Sequence, residues 1–189
     1  MNKKLVAALS GGAALVLALT GCSDDDDEGK KKADAWAKQV CDDMQPQLKK
    51  IVDANVSLDK AKHEPDQKKY QTVALAAFGQ ISQGYSGLSK AVKDAGAPPV
   101  DDGAKLEKDT IAKLDAAAKG FTEQRTAVQK LDTSDKGKFA EGLKKVSANV
   151  EVVNKSGADA LKELQVGDVG EAMAKQPGCQ KTVTPTPTK

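Results

Sequence analysis

Aromatic side chains are scarce here, with one Trp, two Tyr and three Phe in 189 residues. A core short of rings must be packed with Ala, Val and Leu. That draws neighbours close and leaves little room for a large ligand cavity. There is one histidine, His63, so neither a histidine metal triad nor a His-Glu-x-x-His zinc helix can be assembled within one chain. Glycine-rich phosphate loops are missing: the stretch from Gly79 to Gly87 lacks the Lys-Ser/Thr pair and a preceding strand. Gly84-Tyr85-Ser86-Gly87 has the wrong spacing for a nucleophile elbow and sits in a helical pattern. Carboxylates are plentiful, but no spacing places two of them across a cleft for acid–base work. No alternating segments joined by a two-residue turn announce a hairpin, which removes the usual strand signals.

Soft donors are few and scattered. Met44, His63 and Met173 suit copper by chemistry. They lie far apart in sequence, however, and the methionines read as core or gap fillers. No metal or cofactor is expected, and no catalytic set is assigned.

What is present begins with a leader. Lys3 and Lys4 precede an apolar run from Leu5 to Leu19. Fifteen such residues rise roughly 22 Å as a helix, short of the ~20 residues that span a bilayer. The run ends in Leu19-Thr20-Gly21-Cys22. This ending resembles the lipobox of bacterial lipoproteins: an aliphatic residue, a small residue, Gly or Ala, then Cys. The resemblance implies a signal peptide over residues 1–21, cleaved between Gly21 and Cys22, and a diacylglyceryl group on the Cys22 thiol. Two acyl chains on one residue hold a protein durably where one does not. The expected address is the extracytoplasmic face of the cell membrane, anchored by that lipid.

Loss of Lys3 and Lys4 with the leader leaves 27 basic and 27 acidic side chains. A chain with balanced charge has no electrostatic reason to bind nucleic acid. Two cysteines remain, Cys41 and Cys179, and an even number in an exported chain predicts a disulfide. The rival reading, Cys41 as a nucleophile with His63 as its base, suits an exported protein less well.

Residues 22–32 carry the lipidated cysteine and then Asp24-Asp25-Asp26-Asp27-Glu28-Gly29-Lys30-Lys31-Lys32. Blocks of like charge resist collapse, so a flexible, solvated tether is expected. Consecutive aspartates lack the alternating spacing and turn glycine of a calcium loop. From Ala33 to residue 180 the pattern is helical. Trp36, Val40, Met44, Leu48, Ile51, Val52 and Val56 share one face of a first helix. Trp36 belongs to the core rather than to a membrane interface, and Pro46 predicts a kink or a short break. A turn at His63-Glu64-Pro65-Asp66 opens a second helix through Val73, Ala77, Phe78, Ile81, Tyr85, Leu88 and Val92. Its glycines fit either a close backbone approach or a slack helix.

Gly96-Ala97-Pro98-Pro99 stops that helix, and Asp101 or Asp102 is expected to cap the third. The third carries Leu106, Ile111, Leu114, Ala118, Phe121, Val128 and Leu131 on one side. Within it, Asp109 and Lys113 are spaced to pair. Arg125, the only arginine, is expected to meet a carboxylate across the fold, with an anion grip as the lesser reading. A fourth helix follows Asp132-Thr133-Ser134 and runs from Phe139 to Leu164. A short helix after Asp168 and a turn at Pro177-Gly178 then lead into Cys179. Residues 181–189, with their Thr-Pro repeats, read as a disordered tail.

These patterns predict an all-α fold, an antiparallel up-and-down four-helix bundle closed by one disulfide. The plan of leader, charged spacer, helical domain and Thr-Pro tail is similar to small exported lipoproteins of actinobacteria, a likeness of composition that implies no activity. The function expected is a non-catalytic, membrane-anchored module that binds an unknown envelope protein or polymer. The alternative is a carrier of a small apolar ligand or lipid between helices, and a carboxylate-based enzyme comes third. The alternative requires a connected apolar cavity of several hundred Å3.

Overall fold

The computed structural model describes residues 24–181. The leader, Gly21 and Cys22 of the lipobox, and the tail from Thr182 onward lie outside the described residues. Among those described, every regular element is a helix and no strand occurs.

The first helix, α1, runs from Asp24 to Ala61. It starts nine residues before the expected boundary at Ala33, so residues 24–32 of the stretch read as a tether are helical. The order of its charges explains this. Acidic residues occupy the N-terminal end, where the helix dipole favours them, and lysines follow one turn later. Glu28 and Lys32 pair at 2.8 Å across one turn. Pro46 lies inside α1 without breaking it. The carbonyl of Asp42, which would have accepted the missing proline N–H, sits on an exposed residue where water can replace the bond.

Asp66 caps α2, Gln67–Ala95, by accepting the Lys69 amide at 3.0 Å. Gly96 closes it with φ 72° and donates to the carbonyls of Val92 and Lys93, a left-handed closure that glycine adopts without strain. The third helix, α3, covers Gly103–Gln129. Asp102 stands at the expected cap position, but its side chain makes no capping bond. The fourth, α4, covers Lys136–Glu163, and its cap is Asp135, which accepts the Lys138 amide at 3.0 Å. Two short helices follow, α5 over Gly167–Ala174 and α6 over Pro177–Gln180.

The core sits mainly between α1, α2 and α3. Val40, Ile81, Leu88, Val92, Leu114, Phe121 and Val128 are all but sealed from water. Phe121 is its centre. Its ring stacks on Tyr85 at 5.7 Å between centroids and lies tilted against Phe78 at 5.9 Å. Trp36 is buried, and its indole N–H donates to the Gly96 carbonyl at 2.8 Å, tying α1 to the end of α2. Glycines on α2 mark close approach. A Cβ at Gly84 would fall 2.5 Å from Ile51 Cγ1, and one at Gly87 would fall 2.4 Å from Gln47 Oε1. The slack-helix reading is therefore replaced by tight α1–α2 packing.

Cys41 and Cys179 form a disulfide, with Cα atoms 5.0 Å apart across 138 residues of chain. It fastens α6, and α5 with it, to the middle of α1.

Candidate functional site: an apolar groove between α1 and α4

In sequence order α1 packs on α2, α2 on α3 and α3 on α4, while α5 and α6 fold back onto α1. The series stays open at one seam, because no Cα of α1 lies within 8 Å of α4.

Side-chain size explains where α4 docks and where it stands away. Near its C-terminal end Gly157 lets the Tyr85 ring press against the backbone, so that a Cβ there would lie 2.4 Å from Cε1. Ala160 and Leu164, one and two turns on, are fully buried. Toward its N-terminus α4 is held on the α2–α3 side. The Phe139 ring meets Tyr70 edge-on at 6.1 Å, and Leu131 fills the space beside Gly142. Between these two fastenings Leu143, Val146, Ser147 and Val150 face α1 across a gap.

The gap is a groove of about 570 Å3, open to solvent along its length. Val52, Asn55, Val56 and Asp59 of α1 form one wall, and the four α4 residues form the other. The floor is the buried set Ala74, Phe78 and Val128, with Tyr70 and Leu58 toward one end. Its volume lies within the range of about 300–1,000 Å3 typical of small-molecule sites. The core itself is closely packed, and the space lies at this open seam beside it. Two other concavities carry more Lys, His, Asp and Glu side chains in their lining. One of about 620 Å3 lies where α1 turns into α2 and includes Lys60, His63 and Glu64. One of about 510 Å3 along α4 is edged by Lys113, Lys155, Asp159, Lys162 and Glu163.

The electrostatics of the groove are quiet. Asp59 and Lys62 are its only charged lining residues, and they pair with each other at 2.7 Å. The hydrogen bond from Lys62, and then its charge, hold the Asp59 carboxyl below the usual carboxylate range. Burial pushes the Tyr70 hydroxyl above the usual phenol range, against the opposing pull of Lys62. Elsewhere Glu28, Asp66, Asp109 and Asp132 are also shifted down, each by a hydrogen bond donated to it.

Several candidate residues fall away from the roles the sequence suggested. Met44 and Met173 are buried, and Met173 presents its carbonyl to Cys41 Sγ at 4.0 Å. His63 is exposed beyond the end of α1. It lies 19 residues past Met44, roughly 28 Å along a helix, so the three cannot share one ion. Among the described residues no group of His, Cys, Asp and Glu gathers as a metal site. Arg125 meets a carbonyl rather than a carboxylate: Nε donates to Leu75 O at 3.2 Å. Asp109 pairs back to Lys105 at 2.8 Å, and Lys113 crosses instead to Glu163 on α4. Tyr85 of the near-elbow sequence is a core ring.

The groove residues that the helical patterns passed over are Asn55, Leu58, Asp59, Lys62, Tyr70, Ala74 and Ser147. One signal for them existed. Asn55 and Ser147 interrupt apolar stripes at positions where a closed interface would place a hydrocarbon side chain.

No family model, curated protein or solved structure matches this chain.

Proposed function

We propose that the mature chain is a lipid-anchored protein on the outer face of the cell membrane, working by binding and not by catalysis. The Leu19-Thr20-Gly21-Cys22 ending supports the anchor. The Cys41–Cys179 bond supports an oxidising, extracytoplasmic setting, because such bonds persist outside the reducing cytosol. The packing order of α1 to α4 and their short connections support reading them as an up-and-down antiparallel bundle with one seam left open. No helix among the described residues is long and apolar enough to cross a membrane, so attachment falls to the lipid on Cys22.

The observation that carries the binding role is the groove. Apolar side chains from four helices converge on a space that the fold leaves unfilled. Fractionation of cells producing the native chain and Cys22→Ser tests the anchor. The native protein is expected in the membrane fraction with a diacyl mass on Cys22. Unchanged processing and membrane association in Cys22→Ser would refute it. Co-purification from crosslinked membranes tests for an envelope protein or polymer as the partner. A second reading, a carrier of a small apolar ligand or lipid, is favoured by the groove's volume and lining.

A further inference from the structure

Resting on the carrier reading just given, we infer that the α1–α4 groove accepts the single hydrocarbon chain of an uncharged amphiphile of the monoacylglycerol type, with its polar head at Asn55 and Ser147.

The volume suits one chain. If a methylene occupies about as much room as a water molecule, about 30 Å3, a 16-carbon chain needs roughly 480 Å3. The open groove, at about 570 Å3, is of that size. The lining sets the chemistry. Valine, leucine and phenylalanine offer no partner to a polar group along the floor, so the buried part of the occupant must be hydrocarbon.

The rim sets the head. Asp59 and Lys62 satisfy each other, so neither sign of charge in the groove awaits a counter-ion. A free carboxylate or phosphate would have to displace Asp59 from Lys62 and would meet the Asp59 charge. Asn55 and Ser147 stand on opposite walls, both exposed. They supply donors and acceptors suited to hydroxyl or ester groups.

Geometry also excludes the protein's own lipid. Cys22 lies two residues before Asp24, at most about 7 Å of chain. From Asp24 to the groove wall at Val52 and beyond, α1 advances roughly 40–55 Å. An acyl chain spans about half of a ~30 Å hydrocarbon core, far too little to reach. The occupant is therefore not the protein's own anchor.

The test uses the full chain in dioleoylphosphatidylcholine nanodiscs with a diazirine-bearing monopalmitoylglycerol as the probe. After illumination, adducts are mapped by mass spectrometry. Adducts are expected on peptides holding Val52–Lys62 and Leu143–Val150, and unlabelled monopalmitoylglycerol should compete them away. In Ser147→Trp and Val56→Trp, which fill the groove from either wall, labelling should fall about tenfold or more, as loss of a fitted apolar pocket produces. Circular dichroism on both variants checks the fold, and competition in the native chain needs no variant at all. Labelling that is confined to other helices, or that unlabelled lipid does not displace, overturns the inference. So does equal labelling by a diazirine phosphatidylcholine placed in the disc, which would make the bilayer the source. Membrane fractionation of the same variants checks that attachment is unchanged. A groove-filled protein that still carries its anchor but loses label separates ligand binding from attachment. A native protein that this probe never labels, but that a diazirine-bearing alkane labels on the same peptides, overturns this inference and leaves the carrier reading standing, whereas labelling by neither overturns both.

Discussion

The α2–α3 pair and the α1–α4 pair both turn apolar side chains toward each other, yet the first is closed and the second stands open. Along α2–α3, Ala77, Ala117 and Ala118 leave room for Phe78, Tyr85 and Phe121 to interleave. Ser82 donates across the same interface to the Ala118 carbonyl at 2.9 Å. Facing each other across α1–α4 are Val52, Val56, Leu143 and Val150, with Asn55 and Ser147 among them. No alanine or glycine makes a hollow there for a neighbour's side chain to enter. The amount of apolar surface does not decide which seam closes. The placement of small residues opposite large ones does.

The sharpest way to break this comparison is to truncate one side chain on each side of it. Phe121→Ala is expected to cost about 3–5 kcal/mol, since it empties a sealed site and unstacks two rings. Val150→Ala on the groove wall should cost under about 1 kcal/mol, because solvent already reaches it. Urea unfolding of both variants measures the difference, and equal losses would mean that the α1–α4 seam is closed in solution.

Next in size is the disulfide, which closes the part of α1 that the groove leaves free. Replacing Cys41 and Cys179 together by serine should cost about 2–5 kcal/mol. Hydrogen exchange should rise in α5 and α6 before it rises in α2 or α3. A Cys pair whose loss left exchange in α5 and α6 unchanged would show that these helices hold by packing alone.

Gly157→Ala sharpens the comparison from the other direction. The new methyl meets the stacked Tyr85 ring, and overpacking of that kind costs about 1–3 kcal/mol. It should push α4 outward and widen the groove, seen as larger chemical-shift changes for Val146 and Val150 methyls than for those of Val92 and Leu88.

The smallest effect is that of acid. Asp59 and Asp66 have folded pKa values below their ordinary 3.8. What they contribute is fully present above that value and is lost as pH falls through the lowered ones. Acid should therefore loosen the α1–α2 turn and the groove rim before the ring stack at Phe121, below about pH 4. Amide exchange at pH 3 and pH 7 checks the order. Asp66→Asn should remove the part of the pH response seen at the start of α2.

Much of this was legible in the residues. The spacing of Phe78, Ile81, Tyr85 and Leu88 marked a buried helix face, and Gly96-Ala97-Pro98-Pro99 marked its end. The turn at His63-Glu64-Pro65-Asp66 fitted the opening of the second helix, and the two cysteines fitted each other. The start of α1 was not legible from charge runs alone. A block of like charge suggests a solvated arm, whereas acidic residues before lysines at four-residue spacing also suit a helix terminus. The partners of Arg125 and Lys113 were missed because intrahelical spacing says nothing about which carbonyl or carboxylate a neighbouring helix presents. The groove was missed for the same reason. A helical stripe identifies the face that seeks burial, but whether the next helix arrives depends on steric fit between residues far apart in sequence.

The open seam can be tested most directly with paired cysteines. A disulfide needs Cα atoms within about 7 Å, and no Cα of α1 comes within 8 Å of α4. Val52→Cys with Val150→Cys should therefore stay as two free thiols under mild oxidation, while Ile51→Cys with Gly84→Cys, across the tight α1–α2 contact, should bridge. Rapid and complete bridging of the Val52–Val150 pair would contradict the account, because it would place α4 against α1 and leave no groove between them.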